Sequence, residues 1–156
     1  MFTRVLSPLL LTAGLVFFAT PARAQDAQVR LWDAAIAGDT VAITRALSEG
    51  ARVDSLDTRR SVNGRRALNW AALANSVPAL RVLLAHGATI NATNLTGFTA
   101  AHHAAEAGSA DAMKFLIASG ADVTIPSNYG RLPIDTARAN GHVEVIQLLE
   151  AATRKN

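Results

Sequence analysis

The chain has 156 residues, half of them apolar and only 5% aromatic, with no cysteine and a formal charge of +3. That length suits one domain with a core of its own. The cysteine count excludes disulfides and thiol chemistry, and alanine and leucine in place of β-branched and aromatic residues favour helices over sheets.

Residues 1–24 read MFTRVLSPLLLTAGLVFFATPARA. Arg4 precedes an uncharged, mostly apolar stretch over residues 5–19, Pro21 is expected to break any helix there, and Ala22-Arg23-Ala24 places small residues where a signal peptidase reads them. The pattern is that of a secretory signal cut after Ala24, and the other reading is an uncleaved membrane anchor, for which the apolar run is short. Cleavage removes Arg4 and Arg23. It leaves 13 basic and 12 acidic residues, a net +1. The apparent basicity then lends no support to binding nucleic acid or anionic lipid. The expected location is the periplasm or the exterior, with no stable membrane anchor after cleavage.

Downstream the chain repeats itself. Gly64, Gly97 and Gly130 are 33 residues apart, and Ala71, Ala104 and Ala137 follow each by seven; Ala34 holds the same place one unit earlier. Gly50-Ala51, Gly87-Ala88 and Gly120-Ala121 recur as pairs, each trailed by Val53, Ile90 or Val123. Each unit reads as a short alanine-rich helix and then a helix with one apolar face. Helices this short are stabilised by neighbours rather than alone. Gly87 and Gly120 fit left-handed C-caps, and Asn94 and Ser127 fit turns in which a side chain bonds backbone N–H groups. Pro133 and Pro78 suit first helical turns, the latter after Ser76 as N-cap. An extra four residues fall around residues 56–62. One core position reads Arg45, Val82, Phe115, Leu148 along the units and another Leu47, Leu84, Ile117, Glu150, so charge enters only in the outermost units, where one face has no neighbour.

Gly97-Phe98-Thr99-Ala100-Ala101-His102-His103-Ala104-Ala105, Gly130-Arg131-Leu132-Pro133-Ile134-Asp135-Thr136-Ala137 and Gly64-Arg65-Arg66-Ala67-Leu68-Asn69-Trp70-Ala71-Ala72 together resemble the ankyrin repeat over about residues 31–150. The Thr-Pro pair is absent from the second unit and the Pro from the third, and only the third keeps the motif histidine, His102. The resemblance implies an all-α repeat solenoid of about four helix-turn-helix units joined by β-hairpin-like fingers. Its boundaries are residues 25–156, with repeats at about 28–55, 61–93, 94–126 and 127–152. It implies binding to a protein partner by a monomer, with no cofactor. It places the contact surface on finger tips and the concave ends of first helices: Val62, Asn63 and Arg65; Leu95, Thr96 and Phe98; Asn128, Tyr129 and Arg131; and Leu73, Glu106 and Asn140. Leu95, Phe98 and Tyr129 stand out as large apolar residues at turns that folding alone does not require.

Four arginines, Arg59, Arg60, Arg65 and Arg66, surround residues 61–64. They read either as a basic finger for an acidic partner or as a solvated loop. Trp32 and Trp70 read as packing between repeats, with exposed anchors as the alternative. No catalytic constellation or nucleotide-binding motif is present, so the chain is not expected to be an enzyme. His102 and His103 diverge by about 100° on a helix. That argues against both serving one metal, and the resemblance implies that His102 braces its turn by hydrogen bonding. A metal-dependent hydrolase using His102 and His103, or an envelope structural protein, are the alternatives to a periplasmic scaffold that inhibits, protects or assists an exported enzyme.

Overall fold

The computed structural model describes residues 21–154, and the signal-like residues 1–20 lie outside them. Eight helices follow in pairs: α1 Pro21–Ala37 with α2 Thr40–Ser48, α3 Ala67–Leu73 with α4 Val77–Ala85, α5 Ala100–Ala107 with α6 Ala110–Ala118, and α7 Pro133–Asn140 with α8 Val143–Thr153. The first helix of each pair packs on the first helix of the next, and second helices pack on second helices. The contact is more extensive among the first helices. Alanine is the reason: Ala71, Ala72, Ala104, Ala105 and Ala137 are all buried there and let the backbones approach. The described residues form an all-helical solenoid with no named strand; Asp57 and Arg65 make an isolated antiparallel bridge in the first finger.

The deepest core runs along the second helices as Ala46, Leu83, Leu116 and Leu149, flanked by Ile43, Leu80 and Met113 and by Ala79, Ala112 and Val145. The positions read from sequence as core lie beside this row. Val82, Phe115 and Leu148, like Leu47, Leu84 and Ile117, are half-buried against it. The period was legible and its phase was displaced, because two adjacent apolar positions on a short helix cannot be ranked by periodicity alone. Charge in the end units fits this rim: Arg45 and Glu49 pair at 3.1 Å, and Glu150 pairs with Arg138 at 3.0 Å.

α1 begins at Pro21, where a missing N–H costs nothing, so the expected cut after Ala24 falls in its first turn, while the apolar stretch that Pro21 is expected to end lies outside the described residues. The buried residues of α1 begin at Ala27 and continue through Leu31, Trp32, Ala34 and Ala35. Pro133 opens α7 in the same way, and Pro78 sits in the first turn of α4 with the Ser76 hydroxyl accepting from the Ala79 N–H at 3.4 Å.

Between the helices of each pair the chain turns through a left-handed residue at Gly38, Asn75, Gly108 and Gly141. Asn75, at φ 54°, is the one non-glycine residue with positive φ among those described. Asparagine tolerates this conformation better than residues lacking a short polar side chain. Its Oδ1 accepts from the Ala112 N–H of the next repeat at 2.8 Å. Ser109, at the N-cap of that helix, instead donates to the Leu73 carbonyl at 3.2 Å. One repeat thus caps the helix of the next.

Candidate functional site

Three fingers stand in register at one edge of the stack. Within them, the Asn94 N–H donates to the Phe98 carbonyl and the Ser127 N–H to the Arg131 carbonyl, both at 2.9 Å. Between them, the Leu95 N–H donates to the Asn63 carbonyl at 2.9 Å and the Asn128 N–H to the Thr96 carbonyl at 3.0 Å. Buried Asn94 accepts from the N–H groups of Thr96 and Phe98, and buried Ser127 from those of Tyr129 and Arg131. Gly97, at φ +81°, is where the fingers meet: a Cβ there would lie 2.6 Å from the Asn128 backbone nitrogen. These bonds hold three tips at fixed spacing. Val62 is 87% exposed, Leu95 56% and Tyr129 75%.

Behind the tips, the third residue of α3, α5 and α7 turns back to its own N-cap. His102 does this as the sequence suggested. Its Nε2–H donates to the Arg131 carbonyl at 2.9 Å, which fixes the tautomer, and its Nδ1 accepts from the Thr99 N–H at 3.1 Å and the Thr99 hydroxyl at 2.9 Å. Asn69 accepts from the Arg66 N–H at 2.7 Å and Asp135 from the Leu132 N–H at 3.0 Å. The motif histidine is replaced in those repeats without loss of the cap. Burial pushes the His102 imidazole below its ordinary range, the Arg131 carbonyl opposes the shift, and the charge of His103 adds to it. With both nitrogens bonded, His102 has none to offer a metal, and the described residues contain no group of three or more side chains suited to hold one.

The next position in each unit holds Asp33, Trp70, His103 and Thr136, of which His103 and Thr136 line a common cleft. Here lies what the sequence reading missed. His103 is buried, and its Nδ1–H donates to Glu106 Oε2 at 2.9 Å; Glu106 in turn faces Arg65 Nη2 at 3.4 Å. Arg65 stacks on the Trp70 ring at 4.7 Å. Phe98, one repeat on from Arg65, lies 6.0 Å from the His103 ring and 4.9 Å from that of His102. Burial pushes His103 down in pKa, Glu106 opposes this and Arg65 reinforces it, while the hydrogen bond from His103 holds Glu106 low. A 33-residue alignment of Trp70, His103 and Thr136 was the available signal. Its meaning depends on which side chains the fingers fold over it.

Arg65, Phe98, His103, Glu106 and Thr136 line a cleft of about 320 Å³. Seven of the expected contact residues are on it: Asn63, Arg65, Thr96, Phe98, Glu106, Arg131 and Asn140. Val62, Leu95 and Tyr129 stand exposed at the tips, and Asn128 bonds the Leu95 carbonyl at 3.2 Å. Leu73 is half-buried against the core. Phe98 is only half-exposed, and its packing on two histidines gives it a folding role that its turn position does not disclose. A larger opening of about 690 Å³ lies against α1 and α2 beside Ala34, Ala37 and Ala42.

The four arginines do not reach out together. Arg59 folds back over Trp32 at 4.9 Å, bonds buried Asp57 at 2.8 Å and reaches Asp33 at 3.1 Å. Arg60 meets Asp33 at 3.3 Å. Arg66 donates to the carbonyls of Thr93 and Asp54. The extra residues of the first finger are thus tied to α1 by internal ion pairs. Trp32 and Trp70 are both buried, and the Trp32 indole N–H donates to the Ser55 carbonyl at 3.1 Å.

Among protein-family models, the one described as Ankyrin repeats (3 copies) matches residues 31–127 and 92–156. The search of curated proteins found no match.

Proposed function

The chain belongs to the ankyrin-repeat family, a family of protein-binding scaffolds that are typically non-catalytic, and from that premise we propose that it binds a protein partner outside the cytoplasm through its finger tips and concave cleft. The observation that carries this is the row of tips. Val62, Leu95 and Tyr129 hold large apolar surface in water on fingers locked to one another by backbone hydrogen bonds. Folding buries none of the three, and a surface already held rigid loses little entropy when a partner covers it. Export is supported by the charge, apolar run and small-residue pattern of residues 1–24. Among the described residues no helix is long and apolar enough to cross a membrane. An exported enzyme that the scaffold inhibits, protects or assists is the partner class in keeping with this location.

The test uses Leu95→Ala with Tyr129→Ala, since Phe98 contributes to folding. Affinity capture from an envelope extract, read by mass spectrometry, should recover a partner with the wild type and lose it with the double variant. The melt followed by circular dichroism should not move. Equal recovery by both proteins overturns the surface assignment.

A further inference from the structure

The concave cleft has a chemical character that the protein-binding reading leaves open, and the assignment of a ligand to it rests on that reading. Two buried nitrogens on it have no partner: Arg65 Nε and His103 Nε2. His103 is nine-tenths or more buried, with Nδ1 engaged by Glu106 and the opposite nitrogen unspent. A buried polar atom left unsatisfied costs about 1–3 kcal/mol, so such atoms in a cleft wall indicate a missing partner. Arg131, which also lines the cleft, enters no ion pair among the described residues. Arg65 and Arg131 outweigh Glu106 by one positive charge.

We propose that this cleft receives a single carboxylate, the side chain of an aspartate or glutamate on the partner protein, held by Arg65 and Arg131 and joined by a proton taken up at His103 Nε2. A carboxylate accepts hydrogen bonds and donates none, which suits two guanidinium groups. Its one charge matches the excess of the cleft. A phosphate dianion would bring a second charge against Glu106, and a nucleic-acid backbone needs a row of cations where the cleft has two.

The groups facing His103 decide the proton. Glu106 lies on its own helix, His102 beside it, Arg65 on the first finger and Arg131 on the third, while Thr136 on α7 is uncharged. In the free protein burial keeps the ring neutral, and Arg65 adds to that effect. A carboxylate at Nε2 places the ring between two anions and favours the imidazolium. The proton comes from solvent, and no covalent bond changes. Binding and protonation are therefore linked: affinity rises as the pH falls through the interval between the value of the free ring and that of the complex, by about tenfold per pH unit at most for one proton.

The experiment follows the His103 ring nitrogens by NMR in ¹⁵N-labelled protein, in whichever N-terminal form the cell accumulates. The probes are an acetylated, amidated triglutamate peptide and its triglutamine counterpart. Triglutamate should bind, raise the apparent pKa of His103 and bind more tightly at pH 6 than at pH 8; triglutamine should do none of these. Arg131→Ala should weaken triglutamate about tenfold or more with the melt unchanged. His103→Gln should flatten the pH dependence of triglutamate binding. A His103 titration that triglutamate leaves unmoved, or an equal response to triglutamine, overturns the proposal. Should triglutamate fail while partner capture still depends on Leu95 and Tyr129, the carboxylate assignment falls and the binding surface stands.

Discussion

His102 shows how one side chain joins two repeats. Its Nδ1 closes the cap of its own helix, and its Nε2–H reaches the Arg131 carbonyl of the next finger. Replacement by alanine removes both and opens a cavity at a fully buried site, a loss of about 2–4 kcal/mol. His102→Asn should lose about half as much, because Asn69 shows that an amide at this position can accept the cap bond. The two histidines also set an acid limit. Burial lowers both pKa values below 6.5, so the unfolded chain binds more protons than the folded one near and below that pH. The stability they contribute is fully present above about pH 6.5 and is lost as the pH falls through their depressed folded values. Thermal melts between pH 7.5 and 5 should show the midpoint falling in the wild type and falling less in His102→Asn.

At the scale of the element, the decisive feature is the left-handed turn between paired helices. Three of the four turns use glycine, and the second uses Asn75, whose side chain caps the following repeat at the Ala112 N–H. Asn75→Ala keeps the unfavourable φ and removes the bond, so chemical denaturation should report a loss of about 1–2 kcal/mol. Asn75→Gly relieves the backbone but still removes the bond, and should fall between the two proteins. The 33-residue spacing made these helices and their order legible before any coordinates. The cap was not legible, because Asn75 and Ala112 are 37 residues apart and nothing in a linear pattern says that one helix start is served from the preceding unit.

For the whole molecule, stability is a sum of short helices and the interfaces between them, with the end units contributing only one interface each. The first unit is the informative end. Among the described residues its burial begins at Ala27, so a cut after Ala24 shortens α1 by its first turn and removes none of the described core. Protein recovered from the cell envelope should begin at Gln25 by N-terminal sequencing. A version starting at Gln25 should melt within about 1 °C of one starting at Pro21, since frayed terminal turns carry little stability. Recovery of chain still carrying Met1 in the membrane fraction would turn the export reading into one of retention.

The sequence by itself determined the repeat, the helix pairs and the turn residues Asn94 and Ser127, since each follows from local backbone chemistry recurring at one period, and the family resemblance supplied the bracing role of His102. It also placed Asn63, Arg65, Thr96, Phe98, Glu106, Arg131 and Asn140 on one side, which the cleft gathers together. Only the tertiary structure decided what each charge does. Asp57, Asp33 and the Trp32 ring turn Arg59 inward, and Asp33 also takes Arg60, whereas Glu106 leaves Arg65 on the cleft beside His103. The physical reason is distance in the chain. Arg59 and Asp33 are 26 residues apart and Arg65 and Glu106 are 41, so these partners become neighbours only when the stack closes, and until then an arginine in a finger reads the same whether it is spent or free.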